Sequence, residues 1–325
     1  MIERVASDRV RVTFSYEDAA ATSVRLEGAI ATLADDPELE RVGDVWRKTL
    51  EAPSDLRTVY WFARDGEEDW QRWVADPANP HRYVYPAGLE FTGEHEVVAS
   101  MLELPDAPSY EWSVERDVPH GAVRVEEVRG RRVWVYTPTS PPEALLLLFD
   151  GHAYTTLAPA PVVLDNLIAA GRITPVAAVL PDSIDTASRW RDLACNDAFL
   201  VHAIEDLLPL AGVQPDPARV VAAGSSLGGL AAAHAALERP DVFGNALVQS
   251  GAWSLAPGLL ERKRRPVRWY LDAGVLEDFV EPVRAAHVEL LARGYDVAYR
   301  EFPGAHDFFW WRETLAWGLL ALLGE

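Results

Sequence analysis

A serine with small neighbours at the end of an apolar run is the feature of this sequence best suited to chemistry. The stretch reads Val220-Val-Ala-Ala-Gly224-Ser225-Ser226-Leu227-Gly228-Gly229-Leu230-Ala-Ala-Ala-His234. It places G-x-S-x-G after a strand-like run and ahead of an alanine-rich, helix-like one, which is the setting of a nucleophile elbow. On such a strained turn the residues two before and two after the serine must lack bulk, so that chain segments can pass closely. Ser226 has Gly224 and Gly228 at those places, whereas Ser225 would have Ala223 and Leu227. Ser226 is therefore the candidate nucleophile.

A serine hydroxyl is a weak nucleophile at neutral pH and needs a base within hydrogen-bond reach. In α/β-hydrolases the partners follow in the order serine, acid, histidine, and only His234, His287 and His306 lie downstream of Ser226. His234 falls inside the helix that the elbow starts, and His287 sits in the charged helical stretch Pro282-Val-Arg-Ala-Ala-His-Val-Glu-Leu290. His306 follows the strand-like Val297-Ala-Tyr-Arg-Glu-Phe302, on a turn before a C-terminal helix, where the fold delivers its base. The acid belongs after the preceding strand, in Val267-Arg-Trp-Tyr-Leu-Asp-Ala-Gly-Val-Leu-Glu-Asp-Phe279. Glu277 is the first choice and Asp278 the second; Asp272 lies near the strand's end, where a structural role fits. An oxyanion hole needs the backbone N–H of the residue after the nucleophile, Leu227, and one from the loop after an earlier strand. That loop reads Asp150-Gly151-His152-Ala153-Tyr154, so Gly151 or His152 supplies the second donor.

The elements needed to hold these groups are legible as two textures. Up to about residue 100, short stretches alternate between apolar and polar residues: Arg9–Tyr16, Ser23–Gly28, Trp46–Leu50 and Thr58–Ala63. Period-two alternation at that spacing predicts a small all-β sandwich. Asp76-Pro-Ala-Asn-Pro80 and Pro105-Asp-Ala-Pro108 are turn clusters. Residues 1–103 are expected to form the first domain, 104–117 a linker and 118–325 the catalytic domain. In the latter, Val123–Val128 and Arg132–Thr137 flank Gly130 as a hairpin, followed by continuous apolar runs at Ala144–Phe149, Val176–Leu180, Val220–Ala223 and Ala246–Val248. Runs without alternation suit a parallel sheet buried on both faces. Helical stretches at Ala198–Leu210, Leu227–Leu237 and Pro282–Arg293 lie between them. The fold class is thus α/β, an α/β-hydrolase fold behind an all-β domain.

Composition narrows the classes of function. Of 325 residues, 49% are hydrophobic and 25% charged, the balance of an ordinary globular protein. A formal charge of −20 argues against nucleic acid as a partner, since duplex affinity needs clustered cations on phosphates. No apolar run is long enough for a membrane helix, and charges interrupt the first ten residues, so the expected location is cytoplasmic and no membrane partner is expected. The single cysteine, Cys195, precludes an intramolecular disulfide and a cysteine-based zinc site. No cofactor or metal is expected, and a homodimer is left open. The 12 Trp suit buried aromatic packing and equally a site for a flat ligand.

The motifs together resemble a known family, the ferric enterobactin (enterochelin) esterases and their trilactone-hydrolase relatives in the esterase-D group. The matching stretches are Leu148-Phe-Asp-Gly-His152, Asp185-Thr-Ala-Ser-Arg-Trp-Arg-Asp-Leu-Ala-Cys-Asn196, Glu205-Asp-Leu-Leu-Pro209, Gly224–Leu230, Gln249-Ser-Gly251, Asp272-Ala-Gly274 and Gly304-Ala-His-Asp307 with Trp311-Arg312. They run in family order, and the segment from Arg189 to Asn196 is more specific than the elbow. Val12-Thr-Phe14, the Trp46 strand and Asp76–Pro80 extend the likeness over the N-terminal region. The resemblance implies an immunoglobulin-like N-terminal sandwich and hydrolysis of a macrocyclic catechol siderophore in the cytoplasm, releasing iron. It also implies that Arg189 lies near the active site and meets an anionic ligand, with Arg191 and Arg312 as further cations. Trp253 and Trp311 are the aromatic candidates for substrate contact. Two alternatives stand beside it: a feruloyl- or acetyl-type carboxylesterase on small or glycan-derived esters, and a carbohydrate-binding protein with an inactive hydrolase scaffold.

Overall fold

Alternation of buried and exposed residues along the first hundred positions builds a β unit. The computed structural model describes residues 1–324, and the chain divides into two compact units. The first comprises Met1–Ser109 with two later segments, Gly274–Glu277 and Pro303–Trp310. Its strands are β1 (Ile2–Arg4), β2 (Arg9–Glu17), β3 (Val24–Glu27), β4 (Glu40–Val42), β5 (Val45–Pro53), β6 (Arg57–Arg64), β7 (Arg82–Tyr85) and β8 (Val97–Glu103). They form two four-stranded sheets, ordered β1-β2-β5-β4 and β3-β6-β8-β7, with antiparallel pairing throughout. Val10, Val12, Phe14 and Tyr16 of β2 turn inward at every second position and meet Tyr60 and Phe62 of β6 in one core.

β6 is buried on its other face as well, under a layer that includes Trp61, Trp70 and Trp73. Trp61 stacks near Tyr85 with ring centroids 6.2 Å apart and meets Trp73 edge-on at 5.9 Å. Trp70 and Phe91 extend the layer around Tyr85. These rings serve packing, and each buries far more apolar surface than an aliphatic side chain could at the same position.

The second unit holds Tyr110–Ala273, Asp278–Phe302 and the chain from Trp311 on. The eight-stranded sheet is built from β9 (Ala122–Val128), β10 (Arg131–Thr137), β11 (Ala144–Leu148), β12 (Val176–Pro181), β13 (Val220–Ser225), β14 (Asn245–Gln249), β15 (Arg268–Gly274) and β16 (Asp296–Phe302). Their order is β9-β10-β12-β11-β13-β14-β15-β16. β9 and β10 are antiparallel, joined by Arg129 and Gly130, both with positive φ (52° and 78°), the geometry of a two-residue type I′ hairpin. β12, β11, β13, β14 and β15 run parallel. Every residue of β11 to β14 is buried, as a sheet covered on both faces requires.

Helices α1 (Gly151–Thr156), α2 (Ala160–Ala169), α3 (Thr186–Leu193), α4 (Asp197–His202), α5 (Leu227–Glu238), α6 (Val280–Ala292) and α7 (Phe308–Leu323) connect or follow these strands. The expected helical stretch Ala198–Leu210 is helical throughout but changes its winding: α4 ends at His202, a π turn covers Ala203–Leu207, and a 3-10 turn covers Leu208–Ala211. Pro209 is the cause, since it lacks an N–H and its ring clashes with the carbonyl one turn earlier. The expected linker is tied down on its second half. Glu313 accepts the N–H groups of Glu111, Trp112 and Ser113 at 3.1–3.2 Å, and Asn166 Nδ2 donates to the Trp112 carbonyl at 2.8 Å.

Candidate active site

The elbow is built by steric necessity. β13 ends at Ser225, and Ser226 takes φ 54° and ψ −119° before α5 begins. A non-glycine residue held there is strained and persists only where its surroundings determine it. A Cβ on Gly224 would lie 2.5 Å from the Gly228 carbonyl carbon, and one on Gly228 would lie 3.1 Å from Asp150 Oδ2. Gly224 is thus demanded by backbone contact, and Gly228 sits in a tight place beside the Asp150 side chain. The Ser226 N–H donates to the Gln249 carbonyl at 2.9 Å, and the Ser226 carbonyl accepts from Leu230 and Ala252 at 3.1 and 3.0 Å. Ser225 is fully buried, while Ser226 is partly open.

Gln249 is the residue whose role the sequence did not reveal. Its side chain is fully buried; Oε1 accepts from the Tyr154 hydroxyl at 2.6 Å and Nε2 donates to the Trp311 carbonyl at 2.8 Å. Burial pushes the Tyr154 pKa well above its ordinary value, so its hydroxyl stays a donor. The sequence signals are a polar residue closing the strand Asn245–Gln249 and the stretch Gln249-Ser-Gly251 in the family resemblance.

The loop after β11 lies beside the elbow. Asp150 adopts a left-handed conformation (φ 59°) and α1 starts at Gly151, where a Cβ would sit 2.2 Å from the Leu180 carbonyl oxygen. Leu227 and Gly151 are the first residues of α5 and α1, and the first N–H groups of a helix have no acceptor within it. The His152 N–H lies 3.4 Å from Asp182 Oδ1, and its ring stacks on Trp134 with centroids 5.5 Å apart. Arg132 pairs with the same Asp182 at 2.9 Å, and burial, opposed by Arg132, raises the Asp182 pKa.

In the first unit, His306 stands on the turn between β16 and α7, with its Nδ1 3.1 Å from Glu277 Oε2. The Glu277 side chain is fully buried and the His306 side chain one-quarter exposed. A carboxylate at Nδ1 fixes the tautomer with the proton there, leaving Nε2 as the acceptor. Asp278 is exposed. Asp272 is fully buried in β15, where its Oδ1 and its carbonyl accept the Ser250 N–H at 3.2 and 3.0 Å. Of the three carboxylates considered, Glu277 is the one joined to the histidine.

The remaining candidates are placed as follows. Arg189 forms a two-pronged ion pair with Asp150, at 2.9 and 2.8 Å, so its fork is turned onto the loop that starts α1. Arg191 pairs with Asp192 at 2.8 Å, and the Arg312 guanidinium lies 3.9 Å over the Tyr110 ring. Trp253 packs near Trp269 in the core with 7% exposure; Trp311, 3% exposed, donates its indole N–H to Ser250 Oγ at 3.0 Å. A ligand would reach no more than an edge of either ring. His234 is buried in α5 with Asp197 3.0 Å away, and His287 stacks on Tyr299.

A serine on a forced turn after the fifth strand of an eight-stranded, mostly parallel sheet flanked by helices is the arrangement of the α/β-hydrolase class. Comparisons with known proteins sharpen this. The family described as "Putative esterase" matches residues 129–322. The chain is 30% identical to the iron(III) enterobactin esterase of Escherichia coli (strain K12), over 86% of this chain and 79% of that one. It is 29% identical to the enzyme of the same name from Dickeya dadantii (strain 3937), over 99% of this chain and 90% of that one. The crystal structure of the enterobactin esterase from Shigella flexneri in the presence of enterobactin superposes with a TM-score of 0.82 at 26% identity, covering 99% of this chain and 95% of that one. The chain belongs to the ferric enterobactin esterase family.

Proposed function

We propose that this protein is a serine esterase that opens the ester bonds of a macrocyclic catechol siderophore in the cytoplasm and so releases its iron. The observation that carries the substrate is likeness over almost the whole chain, β unit included, to an enterobactin esterase crystallised with enterobactin. The reaction follows from the residues. His306 Nε2 takes the Ser226 Oγ proton as Oγ attacks the ester carbonyl carbon. The oxyanion is received by the Leu227 N–H and by the Gly151 N–H, the His152 N–H being turned to Asp182. The imidazolium, held by Glu277, returns the proton to the departing alcohol, leaving an acyl-Ser226. Water, giving a proton to His306, then splits the acyl-enzyme to the free acid and regenerates Ser226.

The N-terminal unit, with two four-stranded antiparallel sheets around one core, is read as an immunoglobulin-like sandwich. Arg189 and Arg191 are paired with Asp150 and Asp192, so Arg189 serves the oxyanion loop through Asp150. The test is direct. Purified protein is incubated with ferric enterobactin and with methyl ferulate, beside Ser226→Ala and His306→Ala. The reading expects faster turnover of the siderophore and none by either variant. Preference for ferulate by orders of magnitude would remove the siderophore, and full activity in Ser226→Ala would remove the mechanism.

A further inference from the structure

The loop that carries His306 is fastened to the N-terminal β unit on both sides of the histidine. On one side, the Arg57 N–H donates to the Pro303 carbonyl at 3.0 Å. On the other, the Trp310 indole N–H donates to the Arg57 carbonyl at 2.9 Å. Arg57 itself is 2% exposed, pairs with Glu103 at 3.0 Å and lies 4.9 Å over the Trp310 ring. Trp310 is pressed onto Gly304 so tightly that a Cβ there would sit 2.0 Å from its ring. Tyr83 packs on Phe309 at 5.0 Å. The acid's loop joins the same assembly, because the Leu276 N–H donates to the Gly304 carbonyl at 3.0 Å and Leu276 packs on the β unit's core.

Between these fastenings lies a bond that packing does not require. The hydroxyl of Tyr85, from β7, donates to Asp307 Oδ2 at 2.9 Å. Asp307 is the residue after His306, and its Oδ1 caps α7 by accepting the Phe309 N–H at 2.7 Å. A cap needs only one oxygen and no tyrosine. A phenylalanine would fill the space of the Tyr85 ring without the cost of burying a hydroxyl beside a carboxylate. Burial and the Asp307 charge push the Tyr85 pKa well above its ordinary value, so it remains a donor at any working pH.

We infer that Tyr85 and Asp307 are positioning residues for the catalytic base, the side-chain link by which the N-terminal β unit fixes the His306 loop. Glu277 holds the imidazole at Nδ1, and the Tyr85–Asp307 bond holds the backbone that bears it. Positioning matters because a displacement of about 1 Å in a reacting group can cost about a hundredfold in rate. The inference rests on the esterase reading above, and its test separates the two.

The full-length chain and the variants Tyr85→Phe, Asp307→Ala, Asp307→Asn and His306→Ala are assayed on a p-nitrophenyl ester, each well below its own Tm. Labelling of Ser226 by a fluorophosphonate is followed in parallel. Tyr85→Phe and Asp307→Ala should lower kcat about tenfold, the kinetic equivalent of one lost hydrogen bond, with KM unchanged. Asp307→Asn, whose amide can cap α7 with its oxygen and donate to the phenol with its nitrogen, should recover most of kcat. Tyr85→Phe keeps the ring and decides the matter even where Asp307→Ala fails to fold. If His306→Ala is inert and Tyr85→Phe turns over at the parental rate, Tyr85 is a packing residue and the inference falls. If His306→Ala is labelled and active like the parent, the esterase reading itself falls.

Discussion

Glu277 illustrates how one atom's surroundings assign a role. One oxygen of its fully buried carboxylate faces His306 Nδ1 at 3.1 Å, and the other, Oε1, is buried without a hydrogen-bond partner. A carboxylate so placed has one evident service, to hold the imidazole and stabilise the imidazolium formed when the serine proton is taken. Glu277→Gln would present a neutral amide to the ring and lose that charge. We expect kcat to fall by about two to four orders of magnitude, while Asp278→Asn, changed at an exposed position, leaves it unaltered. Steady-state kinetics on a soluble ester checks both. The sequence could propose this loop for the acid, but not which of two adjacent carboxylates turns inward. Next to Glu277, Leu276 packs against the β unit's core, and its N–H meets the Gly304 carbonyl. Such a contact joins positions far apart in the chain and leaves no local pattern.

Among the elements, the strand–turn–helix at Val220–Glu238 shows the closest agreement between local sequence and structure. Its apolar run is β13, Gly224 sits where a Cβ would collide with backbone, and α5 begins one residue after the serine. Gly224→Ala should therefore do more than a surface change. A methyl group forced to within 2.5 Å of the Gly228 backbone must open the turn, costing about 1–3 kcal/mol of stability and moving Ser226 off its donors. Thermal unfolding and ester turnover should both register it. The β9–β10 hairpin was legible for a similar reason, since Gly130 supplies the positive φ its turn demands. The change of winding after His202 is signalled in the sequence by Pro209, and the π turn that absorbs the conflict has no sequence signature of its own. Likewise the layer over β6 takes up Trp61, Trp70 and Trp73, a packing use that composition could not separate from a ligand site.

At the level of the whole molecule, the chain order of the two units is interleaved. The first unit closes with segments drawn from beyond residue 270, Gly274–Glu277 and Pro303–Trp310. A single backbone cut between Ser109 and Tyr110 should therefore not free residues 1–109. They remain bound to the later segments through the Arg57, Tyr85 and Trp310 hydrogen bonds. Engineered cleavage there, followed by size-exclusion chromatography, should show both pieces eluting together as the intact chain does, and separately only in denaturant. Independent elution under native conditions would contradict the division. The same stitching has a hereditary consequence. Lesions among the codons for β6 and β7 should surface as weakened catalysis with the serine intact, so that a screen for lowered activity maps far upstream of the motif that names the enzyme class.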